Sequence, residues 1–208
     1  MCYAQQSSIE KVCTAHPPRL IMKNRIPQIL VRFSESRHSA VYKVLSFLAG
    51  FIIFMILLPM VFFFAGKFLN RWISIPCARS LELILAAILG TLGLLILLWS
   101  LLTQWKAGRG GPVPIAPTQK LITTGPYAYC RNPLQLGQLF YYFAFGTILG
   151  NLTIGLVCVV LEIIVGTAYL KGIEEKELAL RFEQEYLAYK KNTPFLIPKT
   201  KKAGASHR

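Results

Sequence analysis

The chain contains no aspartate: all nine acidic residues are glutamate, and its three histidines, His16, His38 and His207, lie near the two ends. A Ser/His/acid triad needs a histidine oriented by a carboxylate, and a zinc hydrolase needs His, Cys or carboxylate ligands gathered together. Neither can be assembled from this distribution, and no metal site is expected. The five cysteines, Cys2, Cys13, Cys77, Cys130 and Cys158, are odd in number and form no CxxC pair, so a disulfide framework is not expected either. Charge is scarce as well. Only 15% of the 208 residues are charged and 54% are hydrophobic, against roughly 45–50% apolar residues in soluble domains, which points to lipid as the solvent.

The charge that is present is lopsided, with 23 Lys and Arg residues and a net charge of +14. Such basicity can mark a nucleic-acid partner, but here the apolar segments sort it in a way that fits a membrane orientation, and no nucleic-acid partner is expected. Four apolar runs stand out: Val41 to Phe64, Leu81 to Thr103, Leu134 to Leu149 and Leu152 to Leu170. At 1.5 Å per residue the first two are long enough to span a hydrocarbon core, the fourth is adequate and the third is short. Gly150 and Asn151 alone separate the last two, which predicts a tight helical hairpin, and Pro59 predicts a kink in the first helix. The expected fold is an all-α integral membrane protein with about four transmembrane helices. A single domain over residues 41–208 would follow an N-terminal arm of residues 1–40, which lacks the compact basic-then-apolar layout of a signal peptide.

Seven basic residues precede the first run or sit at its start, four lie between Gln104 and Arg131, and nine follow from Lys171 onward. The other side of the bilayer would hold only Lys67, Arg71 and Arg79. This asymmetry predicts that both termini and the long middle loop are cytoplasmic. The Lys199, Lys201 and Lys202 cluster would meet anionic membrane lipids.

Beyond the fourth run the pattern predicts an amphipathic helix over residues 173–191, ended by Asn192 and Pro194, with Leu178, Phe182, Tyr186 and Tyr189 on one face. Glu175 points the same way, and a carboxylate on a buried face needs a cation or several donors. The stretch Gly111 to Pro133 holds too many Pro and Gly residues for a helix, and irregular backbone at a membrane surface is tolerated where protein covers it or a cavity adjoins it. The amphipathic helix and this loop are therefore the expected walls of a site. Glu162 sits near the middle of the fourth run, where a charge is expensive. It must face protein or water, either packed against Gln135 or Gln138 or in contact with the head of a bound acceptor.

Gly125-Pro126-Tyr127, then Arg131-Asn132-Pro133, a short helical hairpin, and then Glu174-Glu175, Leu178, Phe182, Glu185-Tyr186 and Tyr189 follow one another in order. In this respect the chain resembles the isoprenylcysteine carboxyl methyltransferase and phospholipid methyltransferase superfamily over about residues 108 to 198. The resemblance implies a membrane enzyme that binds S-adenosylmethionine at the cytoplasmic edge and admits a lipid-like methyl acceptor from the bilayer. It implies no Rossmann sheet, and Gly108-Arg109-Gly110-Gly111 follows a membrane helix and so does not serve as a nucleotide fingerprint.

Carried over to this chain, the resemblance implies that Tyr127, Arg131, Asn132, Glu174 and Glu175 surround the cofactor, with Arg131 and Glu175 as the catalytic pair. Glu175 would meet the ammonium of the methionine part, Arg131 its carboxylate, and the Tyr127 face the sulfonium. The chain departs from the common pattern in having Asn132 where many members have His, Glu183 for a Gly, and Leu170 for an acceptor-binding Arg. Lys171, next to Leu170, would pair with Glu175 or replace that Arg, which makes Lys171 and Glu162 candidate substrate contacts. O-methylation of a carboxylate and N-methylation of an amine both remain open. The lack of histidine near the site favours an acceptor that need not lose a proton. A non-enzymatic membrane adaptor and a fold-related membrane reductase are the competing readings.

Overall fold

In a computed structural model of the chain, residues 40–108 and 120–199 are described. Most of the N-terminal arm, residues 109–119 of the middle loop, and Lys201 and Lys202 lie outside them. Helix α1 (Ala40–Ile52) passes through a π-helical turn (Ile53–Leu57) into α2 (Leu58–Leu69), and α3 (Arg79–Gly108) follows. A 3-10 turn (Gly125–Ala128) precedes α4 (Pro133–Leu149), α5 (Leu152–Tyr169), a second π turn (Leu170–Glu174) and α6 (Glu175–Asn192). No strand occurs among the described residues.

Three helical stretches, Leu48–Leu69, Arg79–Lys106 and Leu152–Asn192, are long and apolar enough to cross a membrane. The chain is thus an all-helical membrane protein. Helix α4 has 17 residues, about 26 Å of axis against a hydrocarbon core of about 30 Å. It lies at the centre of the bundle, against α3, α5 and α2. Close approach on its α3 side depends on glycine, because a Cβ at Gly93 would stand 2.8 Å from the Gly137 carbonyl and one at Gly137 3.0 Å from the Gly93 carbonyl. The expectation of about four spans therefore becomes three full-length helices around a short central one.

Ahead of Pro59 the helix passes through the π turn, and the structure shows how the lost hydrogen bonds are replaced. Proline has no N–H to give the Met55 carbonyl. One residue earlier, Leu58 N–H turns to the Ile53 carbonyl in the π register, so it no longer serves Phe54. Both freed carbonyls are taken up by α4: the Tyr141 hydroxyl donates to Met55 O at 2.9 Å and the Tyr142 hydroxyl to Phe54 O at 2.6 Å. In hydrocarbon an unpaired carbonyl is costly, so this adjacent tyrosine pair lets a broken helix stand inside the bundle.

The end of the bundle that carries the α4–α5 turn is closed by a polar knot. Asn151 caps α5 by accepting from Ile154 N–H at 3.1 Å, and its amide donates to Asn70 Oδ1 at 3.2 Å. Arg79 donates to the Thr147, Ile148 and Gly150 carbonyls at the C-terminus of α4 and to Glu82, at 2.8–3.0 Å. Glu82 in turn accepts from Leu152 N–H at 3.0 Å, and the Thr153 hydroxyl accepts from Ile75 N–H at 2.9 Å.

The amphipathic helix expected after the fourth span is α6, which continues from α5 through the π turn. It departs from expectation at Glu183, whose φ of 39° and ψ of −116° lie outside the helical region. Lys190 Nζ reaches Glu175 Oε2 at 2.7 Å, although a straight helix would set those residues about 22 Å apart. The stripe from Leu178 to Tyr189 is therefore not one face but two short arms folded toward each other.

A candidate active site at the loop end of the bundle

The opposite end of α4 opens into a cavity of about 380 Å³ walled by α1 and its π turn, α3, α4, α5 and the Tyr127–Asn132 loop. That volume is within the range of small-molecule sites. Gly125 shapes the loop: its φ is +62°, and a Cβ there would stand 2.9 Å from Thr103 Oγ1, so both conformation and space call for glycine. Pro126 and Tyr127 are buried behind it. The strand-like segment after α6 is laced to this loop by Arg131 N–H to Pro194 O at 2.9 Å, Lys199 N–H to Tyr129 O at 3.1 Å and the Asn132 amide to Phe195 O at 2.9 Å. The Tyr189 hydroxyl adds a bond to Tyr127 O at 2.7 Å.

Arg131 and Glu175 meet at the rim, Nη1 to Oε1 at 2.7 Å, with each side chain about one-tenth exposed. The contact is an ion pair without hydrogen-bond alignment, for neither atom has a hydrogen-bond partner, and Arg131 Nε has none either. The two neighbouring acids divide between two sides. Glu174 lines the cavity with Arg131, Asn132 and Tyr127, whereas Glu175 stands behind Arg131 and is also held by Lys190. Lys171 does not pair with Glu175; it is exposed, with its ammonium 5.0 Å from the centre of the Phe195 ring, and it is not among the cavity's lining residues.

Burial, together with Glu177 and Glu175 nearby, pushes the Glu174 carboxyl up to about 7. Burial also raises the Tyr127 hydroxyl, with Glu174 adding to the effect and Gln104 nearby opposing it, and the hydroxyl makes no well-aligned hydrogen bond. The Cys130 thiol is pushed up to about 11 by burial, so at neutral pH it is no thiolate nucleophile. Deeper in the cavity lie Glu162 and Gln135, each 3% exposed, with Gln138 beside them. Sequence reasoning did not pick out Gln104, Tyr169 or the Ile53–Leu57 turn as walls. The one available signal was Pro59, which marks where the first helix departs from α geometry.

An apolar bundle with a charged rim, a proline-bent entry loop and a returning C-terminal helix defines a class. Residues 81–185 match the family described as phospholipid methyltransferase, and the chain belongs to that family. Among curated proteins it is similar to the protein-S-isoprenylcysteine O-methyltransferases of Mus musculus and Rattus norvegicus, each 38% identical over 85 residues, or 39% of this chain. The match spans only 28% of the length of either relative. No solved structure matches the chain.

Proposed function

We propose that the protein is an S-adenosylmethionine-dependent methyltransferase acting on a lipid-like acceptor, with its site at the cytoplasmic edge of the membrane. The observation that carries this reading is the Arg131–Glu174–Glu175 rim at the mouth of an apolar-walled cavity in a chain of this family. The polar groups that line the cavity suit the cofactor: the Arg131 guanidinium, whose Nε has no hydrogen-bond partner, suits its carboxylate, Glu174 its ammonium, and the Tyr127 ring a sulfonium. Glu175 holds the Arg131 guanidinium, and Lys190 balances it from the other side. Asn132 ties the returning segment across the loop and so keeps the rim closed.

When bound, the cofactor supplies a methyl group on a positively charged sulfur. The protein needs no covalent intermediate for such a displacement; its work is alignment and exclusion of water, for which a cavity walled by helices is suited. The distribution of Lys and Arg supports a cytoplasmic rim and cytoplasmic termini. Incubation of membranes with radiolabelled S-adenosylmethionine, followed by lipid extraction, tests the reading. A labelled lipid-phase product is expected. Absence of both label and calorimetric cofactor binding in folded, detergent-solubilised protein would refute it.

A further inference from the structure

One wall of the cavity belongs to the broken first helix. Gly50 and Phe51 of α1, Ile53, Phe54 and Met55 of the π turn and Leu58 at the start of α2 line it. Phe51 and Ile53 are also 50% and 46% exposed, so they stand at a seam with the cavity on one side and, in a membrane, hydrocarbon on the other. All six precede residues 81–185, so this wall is built by a part of the chain outside the region that matches the family.

The two sides of the break are held differently. After it, Pro59, Phe62 and Gly66 form one buried face of α2. The Phe62 ring packs edge-on against Tyr142 with centroids 5.8 Å apart, and a Cβ on Gly66 would stand 3.0 Å from Ile154 Cγ2, which locks α2 against α4 and α5. Before it, Leu48, Phe51 and Ile52 are about half exposed, and Gly50, with no side chain to interlock, is the buried residue of α1 among those described. Between the two the helical ladder is interrupted at the π turn and at Pro59, and the Tyr141 and Tyr142 hydroxyls serve the Met55 and Phe54 carbonyls. An i to i−4 bond fixes the direction of the helix that makes it, whereas a hydroxyl on α4 holds its carbonyl without fixing that direction. The tyrosine pair thus pins the break to the bundle and leaves it free to bend.

We infer that α1 is a gate, hinged at the π turn on the Tyr141 and Tyr142 hydroxyls, that swings to open the cavity sideways to the hydrocarbon of the membrane. What it admits is a hydrocarbon chain, because every residue it brings to the wall is apolar. As the route of a lipid-like acceptor the gate rests on the reading proposed above, which assigns the charged rim to the cofactor. As a moving element it does not depend on that reading.

Paired spin labels test the movement. Leu48→Cys with Leu102→Cys reports on α1 against α3, and Val61→Cys with Val160→Cys on α2 against α5, all four positions being exposed, in a protein whose Cys2, Cys13 and Cys77 are replaced by serine. In nonionic detergent the first pair is expected to give a distance distribution at least about twice as wide as the second. Pro59→Ala returns an N–H to the Met55 carbonyl and should narrow the first distribution to the width of the second. Tyr141→Phe with Tyr142→Phe removes the pins and should widen the first distribution alone. Labelling tests the route. Leu101→Cys, on the cavity wall, should react with N-dodecylmaleimide at least about tenfold more slowly once Pro59→Ala is added, while its reaction with N-ethylmaleimide changes by less than about twofold.

A wild-type first pair no wider than the second overturns the inference, with no variant needed. So does a width that survives Pro59→Ala with the second pair unchanged, which would mean fraying of the helix end. If Pro59→Ala disturbs the second pair as well, the tyrosine variant decides, and a first distribution that it leaves unwidened overturns the gate. A dodecyl reagent slowed no more than the ethyl one overturns the route. S-adenosylmethionine takes no part in these measurements, so their failure leaves the methyltransferase reading standing, and a working gate in a protein that binds no cofactor removes that reading alone.

Discussion

The two ends of α4 hold arginine–glutamate pairs with opposite hydrogen-bonding states. At the turn end, Arg79 spends its donors on three carbonyls and Glu82, and Glu82 also serves Leu152 N–H. At the loop end, Arg131 touches Glu175 at 2.7 Å, yet Nε and Nη1 remain without hydrogen-bond partners, and the Tyr127 hydroxyl beside them makes no well-aligned hydrogen bond. Ion-pair distance is nearly the same in both places, 2.9 and 2.7 Å, and so does not distinguish them. Satisfaction does: a saturated arginine ties helices together, and one beside a cavity with unused donors still has hydrogen bonds to give.

Exchanging each arginine for alanine should break this comparison cleanly if it is real. Arg79→Ala uncovers the end of α4 and leaves Glu82, whose side chain is only 4% exposed, without its cation. The expected loss is about 2–4 kcal/mol of stability, read as a lowered melting temperature in detergent. Cofactor affinity of the protein that remains folded should not change. Arg131→Ala should reverse the pattern, with cofactor affinity falling by about 1–3 kcal/mol and stability moving by less than about 1 kcal/mol. Equal stability losses in the two variants would reduce the rim pair to a structural tie.

Much of the architecture was legible because hydrophobic run length and proline act locally. The four runs, the Gly150–Asn151 turn and the disturbance at Pro59 each follow from a few neighbouring residues. Side-chain partners across the bundle were not legible: nothing local says that Tyr141 and Tyr142 repair the break at Pro59, or that Lys190 rather than Lys171 reaches Glu175. That last error has a definite cause. Helical periodicity was extended through Glu183, where the backbone adopts a positive φ of 39°. The resemblance had flagged Glu183 as standing in the place of a glycine, and the conformation supplies the reason. Glu183→Gly should stabilise the protein by about 1 kcal/mol, strain relief outweighing the extra entropy of the unfolded chain. A lower melting temperature in that variant would mean that the bend is not held in the left-handed region in solution.

The smallest effect expected concerns Glu174, and it sharpens the contrast between the two ends because only the loop end should couple ligand binding to pH near neutrality. Its carboxyl is raised from the ordinary 4.5 to about 7, by burial first and by Glu177 and Glu175 second. Glu174 also faces the Tyr127 and Tyr169 hydroxyls, and Arg131 lines the same cavity. A raised carboxyl favours the folded state in its protonated form, so this contribution to stability is complete below about pH 4.5 and is lost as pH rises through about 7. An ammonium ligand needs the ionised form, and an α-ammonium stays protonated to about pH 7.7. Between pH 6.5 and 7.5 cofactor affinity should therefore rise about twofold, the gain in ionised Glu174 outweighing the partial loss of the ammonium proton, while the melting temperature of the protein alone declines. Glu174→Gln should flatten both trends. If affinity is independent of pH in the wild type, or if the slope survives in Glu174→Gln, the ammonium is held by another group, and Glu175 becomes the acid to test.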